Sequence, residues 1–219
     1  MGIAKFIDYT LLKPTASAAD VRRMCHEAKE YSFASICIQP VFVKLCAQLL
    51  AGSPVGVTTV VGFPLGADKP EVKAFAARQA VADGATEVDM VMNIGQMLEG
   101  NYEAVKEDIA AVVNAVDQKA IVKVIIETAY LSPEQITRAS LLVKEAGADF
   151  VKTSTGFAPS GAKAEDVRRI RQAVGPEMGI KAAGGISSYQ VAEDMLSAGA
   201  TRLGASAALA IVQGEAESK

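Results

Sequence analysis

Short β-branched apolar runs alternate with longer amphipathic stretches along all 219 residues, and one helix-to-strand junction recurs three times. No GxGxxG follows the first run, and no GxxxxGK[ST] occurs anywhere. Together these observations predict an α/β fold, a single (β/α)8 TIM barrel, over an open doubly wound sheet.

The strand candidates, in order, are Lys5 to Asp8, Ser35 to Ile38, Val57 to Val61, Glu87 to Met92, Ile121 to Ile126, Phe150 to Thr153, Gly179 to Ala182 and Arg202 to Gly204. Eight units give roughly 27 residues each, enough for a strand, a helix and two short connections. Residues 1–219 are therefore expected to form one barrel domain, with little room for a second. The recurring junctions are ADGATEVDMV (82–91), EAGADFVKTS (145–154) and SAGATRLGAS (197–206). In each, a glycine (Gly84, Gly147, Gly199) can take the positive φ that ends a helix just before a strand. Helix starts are also readable: Ser132-Pro133-Glu134-Gln135 combines a capping serine, a first-turn proline and a capping-box glutamine.

Composition removes several function classes. Half of the residues are hydrophobic and 21% are charged, which is the balance of a globular chain. The net charge of −3 leaves no basic excess for a nucleic-acid partner. No apolar run reaches the roughly 18 to 20 residues of a membrane span, and MGIAKFIDYT has no signal-peptide core, so a cytoplasmic location is expected. Cys25, Cys37 and Cys46 are odd in number and form no CxxC, which argues against a disulfide framework or a cysteine zinc site. His26 is the only histidine and reads as a solvated helix residue, which disfavours zinc hydrolysis and histidine-assisted nucleophiles.

Barrel chemistry is concentrated where strands run out into the following loops. The polar residues there are Asp8, Asp89, Lys123, Glu127, Lys152 and Lys181, with Asn93 and Thr153 to Thr155 close behind. Lys152, in ADFVKTSTGF, shares a strand face with Phe150 and Ser154. A lone strand lysine is readily an ion-paired or snorkelling side chain. Lys181, in GIKAAGGIS, changes that context, because it belongs one βα unit further on and should stand beside Lys152. A like charge at about 4 to 6 Å favours the neutral amine and can activate a Schiff-base lysine. Asp89 sits in the apolar run EVDMVMN and reads either as a salt-bridge partner of Lys123 or Lys152 or as a proton carrier. Asp8 can orient Lys181, while Lys123 and Glu127 read as a mutually neutralising pair with a supporting role. Gly184-Gly185 and Gly204-Ala205-Ser206 follow the seventh and eighth strands, the two loops that commonly hold a phosphate in barrels; Gly156 can add a further N–H.

The blocks FIDYTLLKP, CIQPVFV, VVGFPLG, EVDMVMNIG, KVIIET, ADFVKTSTGF, IKAAGGI and GASAA, in this order from about residue 6 to residue 212, closely resemble the deoxyribose-phosphate aldolase family. The resemblance implies a cofactor-free class I aldolase, with no metal. Such an enzyme reversibly cleaves 2-deoxy-D-ribose 5-phosphate to acetaldehyde and D-glyceraldehyde 3-phosphate in deoxynucleoside catabolism. Carried over by position, Lys152 is the Schiff-base lysine, Lys181 the lysine that tunes it and Asp89 the proton-relay aspartate. Gly156, Gly184, Gly185, Gly204 and Ser206 fall on phosphate contacts, Thr155 and Cys37 on the pocket lining, and Asp8 joins the substrate-binding set. The implied partners are small phosphosugars and aldehydes, with neither nucleic acid nor membrane; a homodimer is allowed but not fixed. Three departures stand out. Gln39 replaces a common Asn, Ala207 stands where some members have a second Ser, and the final GEAESK lacks the tyrosine that assists proton transfer in some members. Slower enamine protonation is the expectation from the last.

Overall fold

Alternation along eight short strands decides which side chains meet helices and which meet one another. The computed structural model describes residues 2–218, in which the strands are β1 (Ile7–Leu11), β2 (Ser35–Ile38), β3 (Gly56–Val61), β4 (Glu87–Val91), β5 (Ile121–Ile125), β6 (Phe150–Lys152), β7 (Gly179–Ala183) and β8 (Arg202–Ala205). All pair in parallel in chain order, and β8 returns to β1 through Asp8 opposite Gly204, closing the barrel. The connecting helices are α1 (Ala18–Tyr31), α2 (Val43–Leu49), α3 (Pro70–Ala82), α4 (Ile94–Leu98), α5 (Tyr102–Val116), α6 (Pro133–Glu145), α7 (Ala164–Val174), α8 (Tyr189–Ser197) and α9 (Ala208–Glu217).

One strand differs materially from its sequence expectation. Residues 3–6 form a 3-10 turn instead of the start of the first strand, which runs three residues beyond Asp8 to Leu11. The reason lies in pairing: β1 finds partners on both sides only from Ile7 onward, opposite Leu203 and then Ser35. Elsewhere strand ends shift by a single residue.

Helix signals act as their chemistry predicts. Ser132 caps α6 by accepting from Gln135 N–H, and the Gln135 side chain returns the bond to Ser132. Ser17 and Asp20 do the same at α1. Gly84, Gly147 and Gly199 have φ of 105°, 81° and 112°, values that L side chains resist. His26 is exposed on α1, 3.9 Å from Glu30. Among the described residues the three cysteines are free, and no helix is long and apolar enough to cross a membrane.

The main core lies between the barrel wall and the helices. Outward residues such as Ile36, Ile38, Val88, Met90, Val122, Val124, Ile180 and Leu203 are buried against helix stripes, for example Val105, Ile109, Val112 and Val116 on α5. A buried ion pair also stands in this layer: Lys73 of α3 reaches Asp108 of α5 at 2.7 Å and donates to Val91 O at 2.9 Å.

Inside the barrel the layering is polar instead. Arg202 lies over the Phe150 ring at 5.7 Å, near the N-terminal end of the strands. Gly179 leaves room for that ring, since a Cβ there would stand 2.4 Å from Phe150. Arg202 also bonds Asp8 at 2.6 Å and Glu87 at 3.0 Å. Removing one member of a buried ionic group leaves the others uncompensated. Arg202→Ala is therefore expected to lower stability by about 3 kcal/mol, the low end for such changes because Arg202 keeps some solvent contact. Urea unfolding checks this; a loss within experimental scatter would show that Asp8 and Glu87 do not depend on the guanidinium.

Candidate active site

Inward-facing residues two apart on each strand stack into an ionic column. At its base Ser35 Oγ donates to Asp8 Oδ1 at 2.8 Å, and Thr58 Oγ1 donates to Glu87 Oε2 at 3.1 Å. Lys123 is the next layer, bonded to Asp89 Oδ1 at 2.8 Å and to Glu87, with Asp8 at 3.7 Å. Above it, Asp89 Oδ2 accepts from both Lys152 and Lys181, each at 2.7 Å. Lys181 makes a second ion pair, 2.5 Å to Asp8 Oδ2.

Four cations thus share three carboxylates in a largely buried space. The imbalance falls on Lys152. Burial and the neighbouring Lys181 charge hold its pKa below the ordinary lysine value against the pull of Asp89. For Lys181, burial acts the same way, but Asp8 and Asp89 outweigh it and push the pKa up. Lys123 is likewise raised, chiefly by Asp89 against burial. Burial opposes ionisation of Asp89, yet Lys123, Lys152 and Lys181 together hold it well below the usual carboxylate range. The arrangement therefore stabilises the Lys181 ammonium and lowers the cost of deprotonating Lys152.

Lys152 is also the member of this column that reaches open space. A cavity of about 330 Å³ at the C-terminal ends of the strands is lined by Lys152, Thr155, Gly156, Gly184, Gly185, Gly204 and Ser206, with Thr10 and Lys13 on the β1 side. Gly184 and Gly185 have φ of 85° and 79°, so the loop after β7 depends on glycine at both positions. Gly204 serves a different need: a Cβ there would stand 3.0 Å from Lys181 Cε, so its absence gives the buried lysine passage.

Asp8 and Cys37, expected to touch substrate, do not line this cavity. Asp8 lies fully buried beneath it, where β1 alternation turns the side chain to the column rather than the mouth. Cys37 is sealed among Leu12 and Val60, with Phe63 packed against them, and burial raises its thiol pKa. Asp89 and Lys181 are also fully buried, one layer below the cavity.

The expected Lys123–Glu127 pair is not formed. Strand alternation ends with Ile125, and Glu127 takes a left-handed conformation, φ 52° and ψ 69°, which swings its carboxylate to the β6 loop. There it receives the Thr155 hydroxyl and the Thr155 N–H, the latter at 3.2 Å. Burial raises its pKa, against the effect of those bonds. Sequence reading focused on strand ends missed Glu87 and Arg202. Counting back two residues from Asp89 and from Gly204 reaches both, so the period-2 signal was present.

A model of the DeoC/LacD family of aldolases matches residues 3–214. The deoxyribose-phosphate aldolase of Clostridium perfringens (strain 13 / Type A) is 56% identical over 213 residues, covering 97% of this chain and 95% of that protein. The deoxyribose-phosphate aldolase of Halalkalibacterium halodurans is 56% identical over 214 residues, covering 97% of this chain and 96% of its own length. Among solved structures, the tetrameric deoxyribose phosphate aldolase of Aeropyrum pernix superposes with a TM-score of 0.91 at 35% identity, across 99% of this chain and 92% of that one. The chain, a closed barrel with a lysine of lowered pKa at its open end, belongs to the DeoC/LacD aldolase family.

Proposed function

We propose that this chain is a class I aldolase that reversibly cleaves 2-deoxy-D-ribose 5-phosphate to acetaldehyde and D-glyceraldehyde 3-phosphate, with Lys152 as the Schiff-base nucleophile. The observation that carries the reading is the contrast between two neighbouring lysines. Lys152 lines the cavity with its ammonium disfavoured, while Lys181, joined to it through Asp89, is buried and held charged.

Neutral Lys152 adds to the C1 aldehyde of the open-chain sugar, giving a carbinolamine that loses water to an iminium. Asp89 touches both amines and so offers a route for the protons exchanged in these steps. The iminium then accepts the C2–C3 bonding electrons as an enamine, while C3 becomes the carbonyl of the departing aldehyde. Protonation at C2 and hydrolysis release acetaldehyde and restore the amine. No step draws on a metal or an organic cofactor. N–H groups around Gly156, Gly184, Gly185 and Gly204, with Ser206, hold the 5-phosphate, fixing C3 relative to C1.

On this reading residues 1–219 act as one catalytic domain in the cytoplasm, on small phosphosugars and aldehydes and without nucleic-acid or membrane partners. The assembly proposed is a homodimer; the tetramer of the Aeropyrum pernix relative gives a precedent for self-association in the family.

Borohydride added with substrate is expected to fix an adduct on Lys152, read by peptide mass, and Lys152→Leu should abolish acetaldehyde release with the fold retained. An active enzyme that gives no adduct would defeat the Schiff-base assignment. The pH dependence has a definite sign. Trapping needs the neutral amine, so its rate rises as pH passes upward through the Lys152 pKa, which lies below the ordinary lysine value. Lys181→Met removes a repelling charge and leaves Asp89 to hold the Lys152 ammonium, so that limb should move to higher pH; a downward shift would contradict the tuning role. A third test concerns the phosphate loop. A Cβ at Gly161 would stand 2.2 Å from Gly184 O. Gly161→Ala should thus raise KM for the 5-phosphate several-fold, and by more than it raises KM for free deoxyribose, in a coupled acetaldehyde assay.

A further inference from the structure

The cavity that Lys152 opens on is an arc, lined by the strand ends and loops of β6, β7, β8 and β1, which are neighbours in the closed sheet. Among the described residues lining it, the charged ones are Lys152 on the β6 edge and Lys13 on the β1 edge, with the glycine loops between them. No carboxylate is among them. Neutral N–H groups and a hydroxyl can bond the oxygens of a phosphate monoester, but they do not cancel its charge of about −1.5 to −2 near pH 7. The lining segments from β7 and β8, residues 183–187 and 204–207, contain no charged side chain. The start of α9 adds only partial positive charge, and Ala207 at its N-cap makes no side-chain hydrogen bond there.

Lys13 has a pinned backbone and an uncommitted side chain. Gln39 Nε2 donates to Leu12 O at 2.9 Å, and Ala16 N–H donates to Lys13 O at 3.1 Å, closing a turn. The β1–β8 pairing, with Tyr9 opposite Ala205, carries that turn beside the loop that holds Ser206. Lys13 is exposed, and among the described residues it has neither an ion pair nor a side-chain hydrogen bond. A cation is therefore held at the phosphate end of the arc with no anion of the chain bonded to it.

We propose that Lys13 is the counter-cation of the substrate's 5-phosphate and the residue that sets the preference for the phosphorylated sugar over the free one. The proposal rests on the phosphate-holding role given above to the glycine loops. The Lys13 ammonium donates to one phosphate oxygen while the loop N–H groups and Ser206 take the others. A flexible stem with a compact charge suits this task, because the side chain can follow the phosphate in from solvent. A substrate with a carbonyl at one end and a phosphate at the other thus meets a different lysine at each end. Lys13 is a binding residue remote from the reacting carbons, so it governs how tightly the sugar is held over Lys152, and no proton of the amine chemistry passes through it.

The competing account makes Lys13 an ordinary solvated lysine. Unaltered enzyme, Lys13→Gln and Lys13→Arg are compared for kcat/KM with deoxyribose 5-phosphate and with free deoxyribose, for inhibition by inorganic phosphate, and for borohydride trapping of acetaldehyde, which carries no phosphate. Lys13→Gln should lower the preference for the phosphorylated sugar about tenfold, the low end for a charge-assisted hydrogen bond because the site is exposed, and should weaken phosphate inhibition by a similar factor. Lys13→Arg keeps the charge and should hold the preference within about threefold of the unaltered enzyme. Added salt should narrow the gap between the unaltered enzyme and Lys13→Gln. A preference in Lys13→Gln within about twofold of the unaltered enzyme overturns the assignment. So does a Lys13→Arg preference as low as that of Lys13→Gln, which makes shape and not charge the cause, or a trapping loss in Lys13→Gln as large as the fall in preference, which puts the defect at the amine. An unaltered enzyme that neither prefers the phosphorylated sugar nor responds to phosphate removes the phosphate reading and Lys13 with it. Absence of an acetaldehyde adduct in the unaltered enzyme defeats the Schiff-base reading alone, and the preference ratio still decides Lys13.

Discussion

One oxygen of Asp89 is shared between two lysines, and most of what is unusual about the barrel interior depends on that contact. A carboxylate with no exposed surface needs compensating charge, so it draws Lys123, Lys152 and Lys181 inward from three successive strands. Those cations then need more anions than Asp89 offers, and Asp8 and Glu87 supply them, with Arg202 completing the base. The β8–β1 closure places Asp8 beside Gly204, between Arg202 below and Lys181 above. The residue that closes the sheet therefore also joins the two ends of the ionic column.

This interior differs from the branched aliphatic packing common in such barrels. The apolar core has moved almost entirely to the layer between strands and helices, where Ile, Val, Leu and Met from both sides are buried. Burying so many ions is costly, and an ionic interior is weak evidence for stability as such. Its effect is electrostatic: by offering fewer anions than cations, the column assigns the unfavourable ammonium to the position that opens on the cavity.

The architecture was legible in the sequence because its signals are local. Glycine at helix-to-strand junctions, the Ser132 capping box and period-2 apolar runs each act within a few residues and survive into the folded chain. Lys152, Lys181 and Asp89 were legible as well, since strand order alone makes the two lysines neighbours. What escaped depends on where alternation stops. Glu127 lies two residues beyond the end of β5, and its left-handed backbone turns it to Thr155, a partner that no spacing rule indicates. Asp8, read as substrate-binding from its place near a strand end, serves the ionic column, and Cys37, placed on the pocket lining by the family resemblance, is sealed in a small apolar cluster. Lys73 and Asp108 were unreadable for a related reason: each sits on a helix that looks ordinary alone, and only α3 against α5 brings them together.

Gly161 and Gly184 meet backbone to backbone, with Ala162 N–H donating to Gly184 O at 3.0 Å and to Ala183 O at 3.1 Å. The arm that follows the lysine strand and the arm expected to grip the phosphate are therefore one mechanical piece. Anyone reshaping this cavity for larger or uncharged aldehydes would find that the two ends of the substrate cannot be accommodated independently. Room made at the phosphate end shifts the segment that carries Thr155 and Gly156, and substrate range and alignment over the amine change together.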